Sequence, residues 1–94
     1  DFINIRKYME RVFVDVREPF EFATGHVKGA INLPPSKLTA GAKKLKEIPK
    51  DTELVLYCRS GSRSNASMMI LRNLGYTNLV NGINKDQVKS KYGL

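Results

Sequence analysis

The sequence has one cysteine, one histidine and no tryptophan, and each shortage removes a class of structure. A lone cysteine cannot close an internal disulfide, so a packed core rather than cross-links has to hold the chain. One cysteine with one histidine cannot assemble the ligand set of a structural zinc site, and neither a metal nor another cofactor is expected. Long apolar runs are missing as well. Met68-Met69-Ile70-Leu71 is an uninterrupted stretch, far short of the roughly 20 residues that span a bilayer. The opening Asp1-Phe2-Ile3-Asn4 lacks the basic-then-apolar order of a secretory leader. A soluble chain without membrane association is therefore expected, cytoplasmic or, if a leader has been removed, periplasmic. The 94 residues suit one domain over 1–94 and a monomer, because a chain of this size buries roughly 60 to 65% of its unfolded surface and has no room for a second core.

Acidic residues are also scarce, 9 against 16 lysines and arginines, which leaves a net charge of +7. Such a field draws anions, from nucleic acid and acidic lipid to small solutes. Lys43, Lys44, Lys46 and Lys50, and Lys85, Lys89 and Lys91 near the end, read as solvated faces. Only Tyr92 among the aromatics lies near them, whereas a nucleic-acid surface interleaves aromatics with its cations. No nucleic-acid partner is expected, and weak steering of small anions is.

No repeat or low-complexity segment is present, so glycine, proline and changes of hydrophobic period mark the elements. Val12-Phe13-Val14-Asp15-Val16 reads as a buried strand that stops at the polar Arg17-Glu18-Pro19. Residues 20–23 fit one helical turn before Gly25. Ala30-Ile31-Asn32-Leu33 is a short extended piece stopped by Pro34-Pro35. Leu38, Ala42, Leu45 and Ile48 recur at helical spacing, with Ser36 available as a cap, and predict an amphipathic helix between the prolines. Leu54-Val55-Leu56-Tyr57 is apolar at every position, as a central strand covered on both faces should be. After the polar residues 59–64 a helix is predicted with Ala66, Met69, Ile70 and Leu74 on one stripe and Gly75 at its end. Asn78-Leu79-Val80 reads as a last short strand. Alternating strands and helices define an α/β domain with a largely parallel sheet, whose ligands sit beyond the carboxyl ends of the strands.

Cys58 lies at such an end, followed by Arg59-Ser60-Gly61-Ser62-Arg63-Ser64 and then a helix. Amides at a helix start, a concave run of N–H groups and two arginines all favour a negative sulfur. Gly61 gives the loop the backbone freedom to aim its amides inward, and Ser60, Ser62 and Ser64 can donate further hydrogen bonds. Cysteine reactivity depends on the thiolate, so the expected role of Cys58 is nucleophile rather than small buried apolar residue.

These residues resemble the rhodanese domains. Asp15-Val16-Arg17-Glu18-Pro19-Phe20-Glu21-Phe22 and Gly25-His26-Val27-Lys28-Gly29-Ala30-Ile31-Asn32-Leu33-Pro34 are similar to the paired N-terminal signatures of that family. Cys58-Arg59-Ser60-Gly61-Ser62-Arg63-Ser64 is similar to its active-site loop, and Leu74-Gly75-Tyr76 follows the helix as it does there. The resemblance implies a three-layer domain with a central, mostly parallel sheet flanked by helices. It also implies transfer of a sulfane sulfur from thiosulfate or a related anionic donor to Cys58, then to a thiol or cyanide acceptor. Arg59, Ser60, Gly61, Ser62, Arg63 and Ser64 would bind the donor, with the arginines on its sulfonate oxygens. Related phosphatases and arsenate reductases carry an arginine at the position of Ser64; the shorter loop here suits one sulfur atom rather than a phosphate.

His26 belongs to a signature that in this family looks like a scaffold turn, and Asp15 and Arg17 are expected to fasten the end of the first strand; all three are assigned structural support. The chain departs from the family pattern at Asn81-Gly82-Ile83, which keeps one glycine where many members have two, and no tryptophan follows. Residues 1–10 also replace a longer first strand and helix. In size and basic ending the sequence looks like the small phage-shock-protein E type of thiosulfate sulfurtransferase. The competing expectation is a non-catalytic rhodanese-like binding or regulatory module, although such modules often lose the cysteine or the loop arginine.

Overall fold

The computed structural model describes residues 11–94; the readings made of residues 1–10 lie outside the described residues. In chain order the elements are β1 (Arg11–Asp15), α1 (Pro19–Ala23), β2 (Ile31–Asn32), α2 (Pro35–Thr39), a 3-10 turn (Lys43–Leu45), β3 (Glu53–Cys58), α3 (Ser62–Asn73), β4 (Leu79–Asn84) and α4 (Lys85–Tyr92). The strands form a parallel sheet in the order β2-β1-β3-β4.

Side chains of β3 alternate between two cores, as the period of a strand requires. Leu54, Leu56 and Cys58 join Val14, Leu38, Leu45 and Leu71 beneath α2 and α3. Val55 and Tyr57 join Val27 and Val88 beneath α4. With helices on both faces the sheet is the middle of three layers, and β3 is apolar from Leu54 to Cys58 because there neither of its faces meets water. The register sets Asp15 beside Tyr57 and Cys58 beside Asn84, so the carboxyl ends of β1, β3 and β4 come together at one end of the sheet.

Three sequence expectations need correction. The stretch 38–48 is not one helix. α2 ends at Thr39 in a Schellman turn, with the Gly41 amide donating to Leu38 O at 3.0 Å and the Ala42 amide to Lys37 O at 2.9 Å. Gly41 takes the left-handed conformation (φ 108°) that this motif demands. Leu38, Ala42, Leu45 and Ile48 are nevertheless all buried; their spacing reported burial, and the helix was interrupted within it. Nor does Ser36 cap that helix, because the prolines already start it and the N-cap is Pro34.

The second correction concerns α3, which buries Ser64, Ser67 and Leu71 and leaves Met69 63% exposed. Ser67 can face the core because a local bond satisfies it: its Oγ donates to Arg63 O at 2.7 Å. Third, β4 runs on to Asn84, and the lysine-bearing tail beyond it is a helix. Asn84 caps α4 by accepting from the Gln87 amide, and Val88 anchors it in the core. Gly75 does end α3: the Tyr76 amide reaches back to Leu71 O at 3.1 Å.

Candidate active site

Cys58 is the last residue of β3, and the chain turns at once into α3 through Arg59, Ser60 and Gly61. Gly61 adopts φ 92°, a conformation that would strain a side-chain-bearing residue, and this turns its amide back onto the thiol. The Gly61 N–H donates to Cys58 Sγ at 3.0 Å. Cys58 itself is 2% exposed, while Arg59, Ser60 and Ser62 are exposed and form the rim of the loop. Ser60 Oγ and Ser62 Oγ share a hydrogen bond of 3.2 Å.

Burial, the largest influence on the thiol, pushes its pKa up, but the surrounding donors outweigh it. The Ser64 hydroxyl and amide act most strongly, followed by the amides of Ser60 and Gly61, and together they bring the thiol from its ordinary 9.0 to about 7. Ser64 Oγ is buried and has no hydrogen-bond partner of good geometry. It is thus a donor in reserve, able to turn toward a sulfur that becomes charged.

The two arginines of the loop are placed differently. Arg63 is turned toward α1 and grips Glu21, with Nη1 at 2.7 Å from Oε1 and Nη2 at 3.1 Å from Oε2. Its pKa is raised by Glu21 first, and the charge of Cys58 also contributes, so Arg63 belongs to the electrostatic surroundings of the sulfur. Arg59 has no partner among the described residues.

Asp15 and Arg17 form a buried pair beneath the loops: Arg17 Nη2 meets Asp15 Oδ2 at 2.7 Å and also donates to Gly25 O at 2.7 Å. The pair therefore ties the end of β1 to the turn after α1. Asn32 closes the same corner by donating to Asp15 O and Arg17 O. His26 stacks on Phe22 with ring centroids 3.6 Å apart, and its Nδ1 lies 2.8 Å from Phe22 O. Both contacts stay within the segment 22–26.

Two residues at the site escaped sequence reasoning. Glu21 lies within the first signature, but nothing in the chain couples it to an arginine 42 positions away. Asn81 donates through Nδ2 to Gly61 O at 3.0 Å. In sequence it marked only the departure from the family's double-glycine ending.

A parallel three-layer sheet that delivers a donor-ringed cysteine to its carboxyl end defines the class of the protein. The rhodanese-like domain pattern matches residues 3–85, and the chain belongs to that family. It is 39% identical over 70 residues to a protein of Allochromatium vinosum named "Sulfurtransferase", an alignment covering 74% of this chain and 63% of that relative. Among solved structures it is similar to "rhodanese with anions from E. coli", with a TM-score of 0.72, 28% identity and coverage of 82% of this chain and 89% of the other. A human single-domain sulfurtransferase gives a TM-score of 0.69 at 25% identity, over 94% of this chain and 89% of the other.

Proposed function

We propose that the chain is a sulfurtransferase in which Cys58 carries a sulfane sulfur as a persulfide, with thiosulfate or a similar anion as donor. The observation that carries this reading is the Gly61 amide held 3.0 Å from Cys58 Sγ, within a ring of donors that brings the thiol to about 7. At neutral pH a large fraction of the sulfur is then a thiolate, and no separate base has to generate the nucleophile.

The thiolate attacks the outer sulfur of thiosulfate. A Cys58–sulfur bond forms, the sulfur–sulfur bond of the donor breaks, and its electron pair leaves with sulfite. The outer sulfur of the persulfide is an anion, and the amides that favoured the thiolate can favour it too. An acceptor thiolate, or cyanide, then attacks that outer sulfur and returns Cys58 as a thiolate. No oxidant or reductant enters the cycle. Arg59, exposed on the rim, is suited to the departing sulfonate oxygens, while Ser60, Ser62 and Ser64 supply neutral donors. Arg63 contributes charge from its place on Glu21. The net charge of +7 favours the approach of an anionic donor.

The test is intact-protein mass spectrometry after incubation with thiosulfate. The expected result is a gain of about 32 Da, one sulfur atom, reversed by a thiol or cyanide and absent in Cys58→Ser. A protein that stays unmodified while its thiol remains alkylatable would instead be a binding module of the family.

A further inference from the structure

Gly61 supplies the amide nearest the sulfur, yet it has no side chain by which neighbours can hold it. Its fixation must come through its carbonyl and through whatever packs against its Cα. Both come from β4. Asn81 Nδ2 donates to Gly61 O at 3.0 Å. The Asn81 side chain and Ile83 together bound the space beside the Gly61 Cα, where a Cβ would lie 3.5 Å from Asn81 Nδ2 and 3.5 Å from Ile83 Cγ2.

The carboxamide is fixed at its other end as well, because Asn81 Oδ1 accepts from the Ile83 amide at 2.9 Å. Gly61 O can only accept and the Ile83 amide can only donate, so the chemistry of the partners dictates which way the carboxamide faces. The Ile83 bond holds an irregular backbone: the register between β3 and β4 slips after Leu56, and Ile83 takes φ 75°, which a β-branched residue rarely adopts. A strained backbone persists only where its surroundings over-determine it. Here the over-determination leads, through a single side chain, to the loop that faces the sulfur.

We infer that Asn81 is a positioning residue of the sulfur site: its carboxamide bridges the bulge of β4 to Gly61 and thereby keeps the Gly61 amide aimed at Cys58 Sγ. The inference deepens the sulfurtransferase reading and rests on it. Without the bridge, Gly61 O keeps only the Asn65 amide, and the rotation about the glycine's own N–Cα bond is freer to take its N–H off the sulfur. The thiolate then loses a donor, and so does the persulfide.

The experiment is the pH profile of Cys58 alkylation by iodoacetamide in the wild type, Asn81→Ser, Asn81→Ala and the control Gln87→Ala. Serine is neutral and leaves an acceptor near the Ile83 amide but is too short to bridge to Gly61, so it removes the proposed contact without adding charge. Gln87 sits on α4 and is not among the residues that bound Gly61. The expected result is a wild-type midpoint near 7, shifted upward by about half a unit to one unit in both Asn81 variants and unmoved in Gln87→Ala. Thermal melts establish that each variant is folded, and the serine variant carries the test if alanine does not fold.

A low wild-type midpoint that both folded Asn81 variants retain would overturn the inference and leave the sulfurtransferase reading standing. A wild-type midpoint at the free-thiol value would remove the activated thiol itself, and both with it.

Discussion

Arg63 and Glu21 are joined by two hydrogen bonds of 2.7 and 3.1 Å across 42 residues of sequence, and the bridge pins α1 to the first turn of α3. Glu21 also closes the capping box of α1, accepting from the Glu18 amide at 3.0 Å. The loop that carries Cys58 is thus braced on one side by α1 and on the other by β4.

The first prediction concerns acid stability. The Arg63 hydrogen bond, opposed by desolvation and helped by the Glu18 amide, lowers the Glu21 carboxyl from 4.5 to about 2. A carboxyl depressed by folding contributes its full stabilisation above the unfolded value and loses it as the pH falls from about 4.5 to about 2. Water reaches this pair, with side-chain exposures of 34% for Arg63 and 14% for Glu21, so its worth is about 1 kcal/mol. Glu21→Gln keeps an acceptor for the Glu18 amide and removes only the charge. At pH 7 it should lower the melting temperature by about 4–8 °C. As the pH falls toward 2 the gap between the two melting curves should close; a constant gap across the pH range would show that the charge is not what matters.

The second concerns Ser64, the strongest of the influences that favour the thiolate and a hydroxyl without a well-formed partner. Ser64→Ala should raise the alkylation midpoint of Cys58 from about 7 toward the ordinary 9.0 of the thiol. Below about pH 7, where the thiol is protonated and the deleted group is a buried, unsatisfied polar atom, the same change should leave stability equal or higher. Most substitutions that damage a site also loosen the fold, so opposite movements of the two readouts are diagnostic. Linkage adds a third readout. In the wild type, stability rises between about pH 7 and 9, because the folded thiol ionises before the unfolded one. Ser64→Ala should flatten that rise in urea titrations at pH 6.5 and 9.

What could be read from the sequence were the features that physics makes local. β3 is apolar at consecutive positions because both its faces are covered, and the polar loop after it is bounded by Gly61 and the start of α3. Gly75 stopped α3 because a left-handed residue is required there, with φ 101°. The break after α2 used the same chemistry at Gly41, but the helical spacing of Leu38, Ala42 and Leu45 masked it. α3 hid its buried face because serines read as polar, and only the carbonyl of Arg63 makes Ser67 acceptable inside. α4 has just Val88 buried among eight residues, too little for a hydrophobic period to register. The braces of the site, Glu21 on Arg63 and Asn81 on Gly61, join residues distant in sequence and leave no periodic trace.

The last prediction concerns Gly82, the point at which the bulge of β4 passes between β3 and α4. A Cβ on this residue would lie 2.5 Å from Val88 Cγ2, 3.0 Å from Val55 Cγ1 and 3.1 Å from Leu56 O. The first contact is impossible without movement, and neither valine can yield easily, since both are buried and a β-branched side chain has few rotamers. The backbone carbonyl cannot retreat without disturbing β3. Gly82→Ala should therefore cost about 1–3 kcal/mol, read as a lower urea midpoint at unchanged slope. Val88→Ala opens space at the worst contact, so the double variant should lose less than the sum of the two single losses. Strict additivity would mean that the helix does not press on Gly82, and that the close approach of α4 to the bulge plays no part in holding β4 where Asn81 can bridge to Gly61.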